Sequence, residues 1–267
     1  MKQLLQLVKP RIALLTAVST AAGALLAGPH IFWPVLGTFL LACGAAALNQ
    51  IQERDLDALM PRTQHRPLPT GAITVRAATI IVFVFLAAGL AAFACTGNLV
   101  TVALGALAVL AYNFLYTPLK RVTTFAPVVG TIVGAFPPAI GWTGAGGAGC
   151  PPALVALIIF FVVWQLPHFW LLWQRTAADY AAAGLPAPTA RLGAASVRRV
   201  TLVWIAAVAA LGLMLPLFGV VQHLAALALA ALWLGLQANR SPARAFAAIN
   251  IFAGTLLVTI ILEHTLL

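Results

Sequence analysis

The chain has 267 residues, 63% of them hydrophobic and only 7% charged, with a formal net charge of +10. A water-soluble domain carries about a quarter charged residues, so water is excluded as the main solvent and the bilayer takes its place. The positive excess does not point to nucleic acid, because the bases sit at the ends of apolar runs and not on a polar domain.

Nine apolar segments follow in chain order: 12–28, 32–49, 77–96, 99–115, 125–143, 152–173, 200–220, 222–238 and 246–263. Each is near the ~20 residues that span a bilayer. The first, behind MKQLLQLVKPRI, is long enough to cross and is followed by further spans, so it reads as a retained helix and not as a cleaved leader. The fold expected is all-α, a polytopic bundle of nine transmembrane helices forming a single domain over residues 1–267. Cys43, Cys95 and Cys150 lie scattered in or beside apolar runs, without the spacing of a disulfide framework or a zinc site.

The fifteen bases fix the expected orientation. Lys2, Lys9 and Arg11 precede the first segment; Arg54, Arg62, Arg66 and Arg76 separate the second from the third; Lys120 and Arg121 separate the fourth from the fifth. Arg175, Arg191, Arg198 and Arg199 lie between the sixth and seventh, and Arg240 and Arg244 between the eighth and ninth. All fall on one side of a nine-helix count. Positive-inside logic makes that side cytoplasmic, with the N-terminus inside and the C-terminus outside. A bacterial inner membrane is the expected location. Two long polar loops, about 50–75 and 174–199, lie on the same side, so function is expected at that rim.

The stretch Asn49–Gly71, NQIQERDLDALMPRTQHRPLPTG, holds three of the chain's five acids. If the second helix continues past Asn49, then Asn49, Glu53 and Asp57 share one face, each step of four drifting only about 40°. An amide and two carboxylates in a row offer hard oxygen ligands of the kind Mg²⁺ takes while bridging to substrate phosphates. The alternative is a solvated loop with internal acid–base pairs through Arg54 and Arg62. Ionisable groups at a membrane edge favour function. Asp55 falls about 240° round the helix from Asn49 and is expected to pair with Arg54, Arg62 or Arg66. Arg62 and Arg66 carry forked donors that match phosphate oxygens.

In FVVWQLPHFWLLWQRTAADYAAAGLP, His168, Arg175 and Asp179 lie within about 20° on a helical wheel, with Gln165 about 60° away. Asp179 is the natural partner of the first acidic group across the site; a simple ion pair with Arg175 is the alternative. His168 reads as a hydrogen-bonded interior histidine or as part of the site. In YNFLYTPLKRVTT, Tyr112, Tyr116 and Lys120 are spaced by four, and Lys120 and Arg121 could reach a diphosphate or simply anchor the helix. In PVVGTIVGAFPPAIGW, Gly130, Gly134 and Gly141 allow close helix approach, while Pro137 and Pro138 break the backbone ladder. Together these suggest Mg²⁺-assisted loss of diphosphate from a lipid-soluble allylic substrate, with apolar walls keeping water from the carbocation.

These stretches resemble the UbiA-type intramembrane prenyltransferases, and within them the haem-farnesylating branch, over nearly the whole chain. The resemblance rests on LVKPRIALLT, ALNQIQERDLDALMPRTQHRPLPTG, YTPLKRVT, GAFPPAIGW, WQLPHFW and DYAAAGLP. The superfamily's first motif, Asn-x-x-x-Asp-x-x-x-Asp, is matched by Asn49, Glu53 and Asp57. Glu53 departs from it by one methylene. The second motif has two acids four apart; here Asp179 is flanked at that spacing by Arg175 and Ala183.

The resemblance implies farnesyl transfer from farnesyl diphosphate to a vinyl group of haem B, giving haem O for a terminal oxidase. Haem-handling or oxidase-assembly proteins are the protein partners it implies. Asn49, Glu53, Asp57 and Asp179 would hold Mg²⁺, and Arg54, Arg62, Arg66, Lys120 and Arg121 would neutralise the diphosphate. His168, Trp164, Trp170 and Tyr116 would stand on the haem side. The rival is a sister enzyme acting on an aromatic acceptor such as 4-hydroxybenzoate or a naphthoate. A transporter would carry charges near the midplane and broken helices placed symmetrically in the two halves, whereas here the acids hug one rim. An inactive homologue kept as an assembly factor has only Glu53 as a hint.

Overall fold

A computed structural model describes residues 1–186, 193–222 and 225–266; Arg191 and His223, the last residue of the GVVQH connection, lie outside them. Among the described residues all regular structure is helical. Helices α1 (Lys2–Val8) and α2 (Pro10–Leu25) meet at 45°. The bend has a local cause. Pro10 lacks an N–H and disfavours helical backbone in the residue before it. Lys9 takes a left-handed conformation, φ 47°, and the helix restarts with proline in its first turn.

There follow α3 (Phe32–Gln52), α4 (Arg54–Leu59), α5 (Val75–Ala94) and α6 (Leu99–Val109). The last runs on through a π-helical stretch, Leu110–Tyr116, to a final turn, Thr117–Leu119. The fifth apolar segment is divided into α7 (Ala126–Gly130), a 3₁₀ stretch (Thr131–Ala135) and α8 (Phe136–Gly144). The chain continues as α9 (Pro152–Arg175), α10 (Ala177–Ala182), α11 (Ala194–Met214), α12 (Ala225–Ala238) and α13 (Pro242–Leu266).

Among the described residues six helices are long and apolar enough to cross a membrane, or seven if α1 and α2 form one bent span. Three of the nine expected spans depart from a simple crossing helix: the first, 12–28, qualifies only as part of the bent α1–α2 pair. Segment 125–143 is broken, and segment 222–238 contains α12, only 14 residues long. The outward surface is that of a membrane protein: Leu15 is 66% exposed, Phe83 72% and Leu229 69%. Such side chains have no aqueous rationale and face lipid.

Small residues set the helix spacing. A Cβ at Gly23 of α2 would lie 2.2 Å from the Pro138 carbonyl oxygen, and one at Gly141 of α8 would lie 2.0 Å from that of Thr20. The expected close approach around GAFPPAIGW is thus made, with α2 as the partner. The Asn98 carboxamide oxygen caps α6 by accepting from Val100 N–H, and its Nδ2 donates to the Thr143 carbonyl, both at 2.9 Å. That single side chain ties the start of α6 to the end of α8. On the other side, Phe160, Phe252, Leu157 and Leu256 knit α9 and α13 into a buried apolar core.

Candidate active site

Between these packed groups lies a cavity of about 570 Å³, lined from α2, α3, α6, α8 and α9 and capped by loop 60–74 and α10. Its mouth is polar and its depth apolar. Asn49, Glu53, Asp57, Arg62, Arg66 and Lys120 line the mouth; Leu41, Ala42, Ala45, Phe93 and Ile140 line the interior.

The helix expected to run through Asn49, Glu53 and Asp57 is interrupted. It ends at Gln52, Glu53 adopts φ −106° and ψ 11°, and α4 begins at Arg54. The three side chains nevertheless reach one cavity, because the four-residue hydrogen-bond step survives the kink. Glu53 N–H donates to the Asn49 carbonyl at 3.0 Å, and Asp57 N–H to that of Glu53 at 2.8 Å.

Each acid of the mouth is held by a base. Arg66 Nη1 donates to both Asp57 oxygens at 2.7 Å. The Lys120 ammonium pairs with Glu53 Oε1. Arg62 reaches across the chain to Asp179, donating its backbone N–H to Oδ1 and its Nε to Oδ2, both at 3.1 Å. Asp179 itself is buried behind Arg62 and is not part of the cavity lining. Asp57 and Asp179 therefore meet the same short loop through arginines four residues apart. Among the described residues no three carboxylate, imidazole or thiol groups converge as a metal cluster, since these carboxylates are turned to their bases.

Several pairings differ from those expected. Asp55 pairs with Arg121, at 2.8 and 2.9 Å, and not with Arg54, Arg62 or Arg66. The hydrogen bonds from the Arg121 guanidinium hold the Asp55 carboxyl below the usual carboxylate range, and the same bonds raise the arginine. Arg121 thereby turns outward, and Arg54 donates to the Ile51 carbonyl; neither lines the cavity. The Arg175–Asp179 alternative fails because α9 ends at Arg175 and the backbone turns at Thr176, φ −116°. Arg175 instead stacks over the Phe246 ring, 4.8 Å from its centroid. Tyr180 lines the mouth, and burial pushes its phenol up.

Tyr116, Trp164, Gln165 and His168 also line the cavity. His168 packs between the rings of Trp164 (4.7 Å) and Phe246 (4.9 Å). Tyr116 stacks on Tyr112 at 5.9 Å and carries the Lys120 ammonium over its face. Trp170 is buried in packing and does not line the cavity. Gln165 repairs the broken helix: with its amide assigned from the groups that surround it, the nitrogen donates to the Gly130 carbonyl and the oxygen accepts from Gly134 N–H, both at 3.1 Å. A broken backbone in a membrane requires such a partner.

Lys9, Gln50, Gln52, Asn113 and Thr117 escaped the sequence reading as parts of the site or of its support. Lys9, taken there as a flanking base, lines the cavity from the bend between α1 and α2. Gln50 Nε2 donates to the carbonyls of Gln6 and Leu7, at 2.9 and 2.7 Å, and so holds that bend against α3. Asn113 Nδ2 donates to the Ala45 carbonyl and to Gln52 Oε1, while Gln52 Nε2 returns a bond to the Asn113 carbonyl. Asn49 Nδ2 donates to Thr117 Oγ1 at 3.1 Å, which fixes its amide. The available signal was an uncharged amide inside an apolar run, which lipid does not tolerate unpaired.

Residues 12–260 match the model of the UbiA prenyltransferase family. The chain is 40% identical to Protoheme IX farnesyltransferase of Geobacter sulfurreducens over 269 residues, covering 98% of this chain and 99% of that one. Its fold is similar to a digeranylgeranylglyceryl phosphate synthase structure, with TM-score 0.76, 14% identity and coverage of 100% and 99% of the two chains. It is also similar to a UbiA homolog from Archaeoglobus fulgidus bound to DMAPP and Mg²⁺, with TM-score 0.70, 19% identity and coverage of 99% and 100%. A family match over most of the chain and a relative of equal length establish the assignment: this chain belongs to the UbiA prenyltransferase family.

Proposed function

We propose that this prenyltransferase moves the farnesyl group of farnesyl diphosphate onto a vinyl group of haem B, giving haem O. The acceptor reading is supported by 40% identity along the full length to a relative named Protoheme IX farnesyltransferase. The single observation that carries the site reading is a set of acid–base pairs at an apolar cavity: Glu53–Lys120 and Asp57–Arg66 in its lining, and Asp179–Arg62, of which the arginine lines it and the acid lies behind. Parting these pairs offers three cations to a diphosphate and three carboxylates to a divalent ion, with no change in the protein's own charge.

Asn49, Glu53, Asp57 and Asp179 form an oxygen-only donor set, which fits Mg²⁺. Bound there, the ion supplies positive charge against the departing diphosphate. Arg62, Arg66 and Lys120 orient the diphosphate and stabilise its charge as the carbon–oxygen bond breaks. The apolar interior receives the prenyl chain and excludes water from the cation. Tyr116, Trp164 and His168 form the wall for the flat acceptor. Arg54 and Arg121 contribute only through the loops they hold.

In this reading the whole chain acts as one domain of nine crossings in a bacterial inner membrane. The mouth and N-terminus are cytoplasmic and the C-terminus is outside, as the one-sided bases support. Haem-handling or oxidase-assembly proteins would receive the product. The test is incubation of purified protein with haem B, farnesyl diphosphate and Mg²⁺, with mass detection of farnesylated haem. Prenylation of 4-hydroxybenzoate in place of haem would move the acceptor to the sister class.

A further inference from the structure

The cavity has a depth and a floor. Helix α3 presents Asn49, Ala46, Ala45, Ala42, Leu41 and Thr38 to it, running inward from the charged mouth. From Asn49 to Thr38 that is about 16 Å of helix at a rise of ~1.5 Å per residue. An extended farnesyl chain is about 14 Å long, taking carbon–carbon bonds of ~1.5 Å in zigzag. The depth available is that of a chain of three isoprene units.

The floor at the level of Thr38 is Phe93. This residue belongs to α5, is fully buried, and is among the residues that surround the cavity. It gets there between α3 and α6 through a gap made by two glycines. A Cβ at Gly37 would lie 2.4 Å from the ring, and one at Gly105 would lie 2.3 Å from it. Leu41 and Ile140 pack with Phe93 in the same buried group. The ring is thus gripped by glycine backbone from two sides and has no space to swing aside. A chain longer than the cavity would have to displace the whole ring.

Resting on the prenyl diphosphate site proposed above, we infer that Phe93 is the floor residue that sets the length of prenyl chain this enzyme accepts. Removing the phenyl ring deletes about the bulk of one isoprene unit from the blind end, so the preference should lengthen by one unit. A residue that merely packs three helices would lower all substrates together.

The experiment compares wild type, Phe93→Ala and Phe93→Leu with geranyl, farnesyl and geranylgeranyl diphosphates. One arm measures kcat/KM for prenylated haem. A second, without any acceptor, measures competition of the three diphosphates for bound labelled farnesyl diphosphate, so it reads the floor independently of haem. Phe93→Leu keeps apolar packing and supplies the reading where the alanine variant unfolds. Wild type is expected to favour farnesyl over geranylgeranyl by at least tenfold, and both variants to raise the geranylgeranyl-to-farnesyl ratio tenfold or more in both arms. An unchanged ratio in a folded variant overturns the inference while leaving the function proposal standing. Normal length discrimination in the binding arm with no haem product removes the acceptor reading alone. Absence of any diphosphate binding by wild type overturns both.

Discussion

Arg62 and Asp179 are 117 residues apart in sequence and are joined by two hydrogen bonds of 3.1 Å, one from the backbone and one from the side chain of the arginine. The bond from the backbone matters as much as the ion pair, because it fixes the loop itself against α10. Four residues on, Arg66 makes the matching contact to Asp57. One short loop therefore brings the two acidic segments of the sequence to a single cavity mouth.

Replacing Arg62 by lysine keeps the charge and the backbone bond but loses the forked geometry. We expect a fall of ten- to a hundredfold in kcat/KM for farnesyl diphosphate. Thermal unfolding should shift little, since the arginine side chain is 55% exposed. Asp179→Asn should cost more than Arg62→Lys, because it removes the carboxylate itself. Equal rates for wild type and Asp179→Asn in a steady-state assay would remove Asp179 from the site.

Asp57→Asn is expected to lower prenyl transfer by at least a hundredfold and to abolish stimulation by added Mg²⁺. The amide preserves shape where Asp57 side chain, only 5% exposed, is buried against Arg66; deleting one member of a buried pair typically costs about 3–5 kcal/mol. Glu53→Asp should retain activity within about tenfold, since the flexible Lys120 stem can follow a carboxylate drawn back by one methylene. Mass-detected turnover with Mg²⁺ titration checks both variants.

Gly134→Ala tests the repaired helix. A Cβ there would lie 1.7 Å from the end of the Gln165 carboxamide that faces Gly134, so the amide must leave, and the Gly130 carbonyl and Gly134 N–H lose their partner. The expected cost is about 1–3 kcal/mol for each buried group left unsatisfied. Gln165→Leu should show a similar loss, and the double variant should be less than additive. Thermal unfolding in detergent measures all three.

The Asp55–Arg121 pair has a signed pH dependence. Its folded carboxyl is held below its unfolded value by the guanidinium hydrogen bonds. The stabilisation is therefore present above the unfolded pKa, about 3.9, and is lost as pH falls through the folded one. Because Asp55 side chain is 61% exposed, solvent screening limits the effect to under about 1 kcal/mol. Asp55→Asn should lower the unfolding temperature slightly at neutral pH and leave it unchanged below the folded pKa. A difference that persists undiminished in acid would mean the pair acts through packing and not through charge.

The chain's solvent, its helical class and the residue types at the site were legible before any coordinates. Hydrophobic runs of bilayer length admit only helices when lipid offers no hydrogen bonds. Acids so scarce that four of the five lie in 53–57 and at 179 mark their own importance. The four-residue spacing of Asn49, Glu53 and Asp57 survived even though the helix carrying it is kinked, because backbone hydrogen bonding kept the same step.

Partner choice was a different matter. Wheel geometry put Arg175 beside Asp179, but a single turn at Thr176 ended the helix and gave Asp179 to Arg62. Arg121, equivalent to Lys120 by sequence, faces away because Asp55 and the Gln52 carbonyl hold it. Lys9 and Phe93 reached the cavity through a proline bend and a gap between glycines on other helices. Periodicity specifies which side of one helix a residue occupies; it carries no information about the angle at which another helix crosses it. Composition and spacing alone therefore determined the medium, the helices and the chemical groups, while tertiary packing decided which acid meets which base and where the cavity ends.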